Sequence, residues 1–294
     1  MNSHLKSLLV FIAAFAVMAA FPPSGLAQAP VDRDVAYDDK HLSQCVDVYL
    51  AKSDKPTPAV IYIHGGGWRG GSKKGVPGWL MRFVSDGKLS VVAVEYRFTD
   101  VAIHPAQVND CLRAIQFVRQ NAEKWNIDPL RLGVTGGSAG GHLSAYVALH
   151  DDVANAKSTD PVEQQSSRVA CAVSFAGPTD WSLLSSIAHG HPAYRQLIGY
   201  VPGTPASELK AELVKDVSPI TFVSEDDPPV MQVHGDNDDI VPLEHASNLH
   251  EQLRFKGVTS ELVVIPGGNH GVAGAGDQVS TRAVQFVQRY LLAP

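Results

Sequence analysis

The sequence predicts an α/β fold in which a mostly parallel central sheet carries helices on both faces. Three observations lead there. Continuous apolar runs recur at 59–63, 91–95, 132–135, 169–176, 230–234 and 261–265, the pattern of strands covered on both sides. Stretches with apolar residues at helical spacing alternate with them, at 105–125, 244–255 and 278–291, which is the signature of strand–helix–strand units. Several runs end in a glycine- or acid-rich turn, and in open α/β sheets ligands collect beyond the carboxyl ends of the strands.

In chain order, residues 1–27 read as a secretory leader: Lys6 in a polar start, an apolar run from Leu8 to Phe21, then Pro22, Pro23 and Gly25 before small residues. The run is too short to span a bilayer. Cleavage after Ala27 leaves 294 − 27 = 267 residues, and the mature chain is expected to be secreted or periplasmic, without stable membrane insertion. Residues 28–294 suffice for one large domain with a full core. Losing Lys6 and no acid moves the net charge from −6 to −7. With that acidity and no long basic run, nucleic acid is not an expected partner.

Strands are predicted at 32–37 and 42–50, the second with Leu42, Val46, Val48 and Leu50 on one side. Pro56 and Pro58 break the chain before the buried run at 59–63. His64-Gly65-Gly66-Gly67-Trp68 follows at once. Three glycines let the backbone pass close to a substrate with N–H groups pointing inward, as an oxyanion hole requires. Trp68 adds an aromatic wall, and His64 reads as structural, its ring bonded to the loop backbone. After the strand at 91–95, Val108, Cys111, Leu112, Ile115 and Val118 fall at helical spacing. Cys45, Cys111 and Cys171 read as buried thiols, with one disulfide left open.

The stretch 131–149 passes from strand through Gly136, Gly137, Ser138, Ala139, Gly140 and Gly141 into a helix whose Leu143, Val147 and Ala148 share a face. G-x-S-x-G between strand and helix is the nucleophile-elbow pattern. A turn this tight admits only small residues beside the nucleophile. The helix N-terminus behind Ser138 offers free N–H groups and a partial positive charge where an oxyanion would form. Two further polar turns follow strands: His234-Gly235-Asp236-Asn237-Asp238-Asp239-Ile240-Val241-Pro242 and Gly267-Gly268-Asn269-His270-Gly271. Ser138 needs a base to remove its proton. A histidine titrates in the right range, and a buried carboxylate fixes its tautomer and stabilises the imidazolium. Of the twelve histidines, His142, His245 and His250 fall on predicted helices and read as packed or solvated.

These stretches resemble α/β-hydrolases of the hormone-sensitive-lipase-like and bacterial feruloyl-esterase-like carboxylesterase group: HGGGW at 64–68, VVAVEYRF at 91–98, NIDPLRLGVTGGSAGGHLSA at 126–145, SPITFVSEDDPPVMQVHGDNDDIVP at 218–242, and the GGNHG loop. The resemblance spans most of the chain beyond the leader. It implies the α/β-hydrolase fold and a catalytic set of Ser138, Asp238 and His270. Asp238 stands three before Val241-Pro242; Asp236 and Asp239 are the alternatives. It further implies that the N–H of Ala139 joins those of Gly66 and Gly67 to hold the oxyanion, and that Asp110 and Asp128 are structural. The reaction implied is acyl transfer through a Ser138 ester, then hydrolysis, with no metal or organic cofactor. The substrate would be a small-molecule or carbohydrate-linked ester, of acetyl or feruloyl type by analogy with secreted relatives.

The cap is expected at about 177–227, with Trp181 a candidate for substrate binding beside Trp68. His189-x-His191 lacks a nearby third ligand for a metal site, and the acidic run 236–239 lacks the rest of a calcium loop. Two other readings share the fold. A prolyl-oligopeptidase-type peptidase would carry an N-terminal propeller and an acidic pair for a peptide amine. A non-catalytic binding protein would have no reason to keep Ser138, Asp238 and His270 together.

Overall fold

The structure, a computed structural model, describes residues 29–185, 191–272 and 276–293; the leader at 1–27 and His189 lie outside them. Eight strands form one sheet: β1 (Asp32–Ala36), β2 (Cys45–Tyr49), β3 (Thr57–Ile63), β4 (Ser90–Val94), β5 (Ile127–Gly137), β6 (Cys171–Phe175), β7 (Val230–Gly235) and β8 (Ser260–Ile265). Their spatial order is β1-β2-β4-β3-β5-β6-β7-β8. Only β2 runs antiparallel to its neighbours, and every pair from β4 to β8 is parallel.

The apolar runs do what continuous hydrophobicity requires of a strand covered twice. All seven residues of β3 are buried. Ala59, Ile61 and Ile63 face one core, with α2 (Ala106–Gln120), α3 (Ala139–Leu149) and α6 (Glu244–Phe255). Val60 and Tyr62 face the other, with α1 (Gly78–Ser85) and α7 (Gly276–Val287). Two short helices, α4 (Pro192–Leu197) and α5 (Ala211–Asp216), lie between β6 and β7 within the expected cap. No helix among the described residues is long and apolar enough to cross a membrane.

Four details differ from the sequence reading. The second strand starts at Cys45, and Leu42, expected on its buried side, is 96% exposed. A turn closed by the Gln44 N–H on the His41 carbonyl, and by the Ser43 N–H on His41 Nδ1, diverts the chain there. Helix α3 is buried all round rather than on one face, because β5, β6, α2 and the turn Pro219–Phe222 enclose it. The last helix ends at Val287 and loosens into a π-turn over Gln288–Leu292. Helix α1 was not foreseen; its Trp79, Leu80, Phe83 and Val84 are buried, but Pro77 and Gly78 at its start hide the pattern.

The three cysteines are all buried free thiols. Burial raises each one, Cys111 well above the ordinary thiol range and Cys171 to about 12. Asp110 and Asp128 are structural as expected. Asp110 holds Arg97 at 2.7 Å and accepts from Gln44 at 2.8 Å, and Asp128 holds Arg131 at 2.7 Å.

Candidate active site

The parallel strands deliver three loops to one edge of the sheet. At the end of β5, Ser138 sits at φ 56°, ψ −121°, a conformation that costs a residue with a side chain about 1–3 kcal/mol. Close packing holds it there. A Cβ on Gly136 or on Gly140 would overlap the carbonyl oxygen of Ile63 at the end of β3. The two glycines of the elbow are therefore dictated by the neighbouring strand as much as by the turn. The Ser138 N–H also bonds the Phe175 carbonyl at the end of β6, at 2.8 Å.

Beyond β8, His270 turns its ring to Ser138. Its Nε2 lies 2.8 Å from Ser138 Oγ, and its Nδ1 lies 2.9 Å from Asp238 Oδ2. This places the donated hydrogen on Nδ1 and leaves Nε2 free to accept the serine proton. The His270 side chain is 21% exposed and that of Asp238 fully buried. Burial alone would raise the Asp238 carboxyl. Hydrogen bonds from His234 and His270, the His270 charge and the Val241 N–H outweigh it and hold the group well below the usual carboxylate range. Its Oδ1 accepts the Ile240 and Val241 N–H groups, both at 2.9 Å. The alternatives separate cleanly: Asp236 is exposed and accepts the Gly267 N–H at 2.6 Å, and Asp239 is exposed.

The glycine loop after β3 runs alongside. A Cβ on Gly65 would stand 3.5 Å from Ser138 Cβ and 2.6 Å from the Gly137 oxygen. Gly66 and Gly67 adopt φ of 123° and 62°. Among the described residues the N–H groups of Gly66, Gly67 and Ala139 donate to no protein acceptor. Ala139 is the first residue of α3, where a free N–H is inherent. The loop is pinned from behind. His64 Nδ1 bonds the Gly65 carbonyl at 2.7 Å, and its Nε2 meets Glu95 Oε1 at 2.9 Å. The other Glu95 oxygen accepts the Lys73 N–H at 3.2 Å, and Tyr96 donates to the His64 carbonyl at 3.0 Å. Glu95 thus ties both ends of the loop 64–73. Sequence reasoning missed it, although it lies within the VVAVEYRF stretch.

Trp68 and Trp181, expected as substrate walls, are instead almost fully buried. Their ring centroids lie 5.7 Å apart, and both contact Tyr194 and His142. Trp68 Nε1 donates to His142 Nδ1 at 3.1 Å, and His142 Nε2 donates to the Val217 carbonyl at 2.9 Å. Both rings serve to fasten the segment between β6 and β7 to the sheet. Burial lowers His142 and His245 to about 3, so both stay neutral. His245 Nδ1 accepts the Thr179 and Asp180 N–H groups at 3.2 and 3.1 Å. His191 is the N-cap of α4, accepting the Ala193 N–H at 3.3 Å. Burial first, then the charges of Arg69 and His270, hold His191 below the usual histidine range. No group of three or more metal-ligating side chains occurs among the described residues.

The arrangement has the parts that acyl transfer requires: a hydroxyl on a histidine ring, that ring on a buried carboxylate, and free N–H groups beside them. A family model, BD-FAE, matches residues 46–253. A probable carboxylic ester hydrolase, LipM, of Mycobacterium tuberculosis is 31% identical over 228 residues, covering 76% of this chain and 52% of the relative. The chain spans 59% and 61% of two further curated relatives from that organism, esterases LipC and LipQ. Among solved structures, a truncated carbohydrate esterase from gut microbiota superposes with a TM-score of 0.75 at 29% identity, over 90% of this chain and all of that one. An acetyl ester-xyloside bifunctional hydrolase from Caldicellulosiruptor lactoaceticus gives 0.72 at 30% identity, over 83% of this chain and 87% of that one. The sheet and its helices are the α/β-hydrolase fold that the sequence predicted.

Proposed function

The chain belongs to the BD-FAE family, and on that premise we propose that it is a secreted carboxylic-ester hydrolase acting through an acyl-enzyme on Ser138. Its substrates are short-chain or aromatic esters of carbohydrates, of acetyl or feruloyl type. One observation carries the chemistry: Ser138, His270 and Asp238 in hydrogen-bonded series at 2.8 and 2.9 Å, beside the free N–H groups of Gly66, Gly67 and Ala139.

His270 Nε2 takes the Ser138 proton as Oγ attacks the ester carbonyl carbon. The carbonyl oxygen becomes an oxyanion, held by the three N–H groups. As the C–O bond to the alcohol breaks, the same proton passes from His270 to the leaving oxygen. Water then enters, gives its proton to Nε2 and attacks the acyl carbon; Ser138 leaves with that proton and the acid is released. Asp238, ionised and buried, stabilises the imidazolium at each step. The carbohydrate half of the reading is supported by the names of the two solved relatives above.

The test is a chromogenic ester series from acetate to octanoate, with methyl ferulate and acetylated xylan, run beside Ser138→Ala. Cleavage by the native chain with a loss of at least ~10³-fold in the variant is the expected result. A chain that cleaves no ester ends the proposal. Mass measurement of the exported protein checks the leader, with loss of residues 1–27 expected.

A further inference from the structure

We propose that the cleft between the glycine loop and the segment after α4 is a subsite for the alcohol half of the ester, and that its ligand is a neutral sugar ring. The inference rests on the esterase reading of Ser138 and says where selectivity for the leaving group resides.

The glycine loop leads from Ser138 to Arg69, on the wall of the cleft. Gly65 abuts Ser138; two residues on, a Cβ at Gly67 would stand 3.7 Å from Arg69 Nε and 3.4 Å from Ala193 Cβ. Arg69 then reaches across, its Nη1 donating to Gln196 Oε1 of α4 at 2.7 Å. Beyond it opens a concave volume of about 430 Å³ lined by Arg69, Thr99, Asp100, Gln196, Tyr200 and Val201, among others. Thr99 is fixed to the loop by its N–H on the Trp68 carbonyl, 2.9 Å. Tyr200 is fixed by its hydroxyl, which accepts the Lys210 N–H at 3.2 Å.

The chemistry of the lining selects the ligand. Arg69 spends one guanidinium hydrogen on Gln196, and its other donors are free to turn to the cleft. Asp100 is exposed and brings only acceptors. Vicinal hydroxyls need both kinds of partner, since each gives one hydrogen and receives another. One guanidinium and one carboxylate cancel in charge, so an anion would meet Asp100 and a cation Arg69. A hydrocarbon acyl chain would desolvate both without replacing their hydrogen bonds. The half-buried ring of Tyr200 and the 73% exposed Val201 offer apolar surface for the C–H face of a pyranose. A few convergent polar groups beside an aromatic surface are what orient a small ligand in a cleft.

The experiment uses acetylated xylotriose as substrate and free xylotriose as ligand, with the whole chain and its Arg69→Ala, Asp100→Asn and Tyr200→Ala variants, folding checked by circular dichroism. The native chain is expected to be inhibited competitively by free xylotriose when cleaving 4-nitrophenyl acetate. In the variants that inhibition weakens about 10-fold, and KM for acetylated xylotriose rises by a similar factor, with the loss in KM rather than kcat. Three results overturn the subsite: no inhibition of the native chain, variants that leave KM unchanged, or variants that alter acyl chain-length preference instead. Failure here with 4-nitrophenyl acetate still cleaved leaves the esterase reading standing. If no ester is cleaved, that reading falls, and calorimetric titration of xylotriose into the same proteins still decides the subsite, binding by the native chain and not the variants supporting it.

Discussion

At the elbow, backbone holds backbone: Gly136 and Gly140 lie against the Ile63 carbonyl, and the Ser138 N–H is bonded to Phe175 across the sheet. Between β6 and β7, side chains do the holding. Trp68, His142, Trp181 and Tyr194 interlock, and His142 and His245 reach main-chain groups of the segment with neutral rings. The first region tolerates no added atom and is indifferent to pH. The second is backbone-tight only at its start, where Gly177 abuts Gly141 and His142, and beyond that it depends on histidines that must stay uncharged. The same protein therefore fails in two ways, by overlap at one place and by protonation at the other.

Five changes act on these two regions and the loops beside them, with effects that run from large to small. Replacing His270 with Ala should lower kcat by at least ~10³-fold and also lower Tm, since the buried Asp238 carboxylate loses a donor; steady-state kinetics and a thermal melt check this. Gly140→Ala should cost about 4 kcal/mol or more, as overpacking against backbone does in extreme cases, read as loss of soluble protein or a lowered denaturation midpoint. Acid should act at the other region. Below about pH 6.5 the unfolded chain protonates His142 and His245, whereas the folded chain refuses those protons until about pH 3. Stability therefore falls as pH drops through that window, by on the order of 2 kcal/mol per ring at pH 5. Urea unfolding of the native chain, His142→Gln and His245→Gln over pH 5 to 7 measures it, and each variant should flatten the slope by about one proton. Glu95→Gln keeps the shape but trades one acceptor for a donor. It should slow kcat about 10-fold with KM nearly unchanged, a smaller loss than removing an oxyanion donor outright. Gly203→Ala, inside the segment, meets nothing within 4 Å but sits at φ 88°; about 1 kcal/mol is expected, the mildest change of the five.

This division also explains what could be read from the sequence. The elbow, the glycine loop and the loops of Asp238 and His270 are local: each needs a few residues at fixed spacing after a strand, and steric demand leaves glycine or a named polar group as the only solutions. Chemistry alone left three aspartates in play between 236 and 239. In the fold it is Asp238, buried and bonded by the Ile240 and Val241 N–H groups, that lies on the His270 ring. Glu95, Arg69 and His191 acquire their surroundings from segments 22 to more than 120 residues away in sequence, so no spacing rule announces them. Trp68 and Trp181 show the opposite error. An aromatic ring beside a catalytic loop suggests contact with substrate, yet here both rings are consumed in attaching one part of the chain to another.

The three buried thiols make the molecule its own clock. Cys45 lies on β2, Cys111 on α2 and Cys171 on β6, one near the sheet's first edge, one in the helical layer and one in its middle. None presents a thiolate to solvent while the fold is closed. An alkylating reagent can therefore mark each only when its own neighbourhood opens. Counted by mass, the three labels would report separately how often the sheet edge, the helical layer and the sheet centre come apart, with no engineered probe.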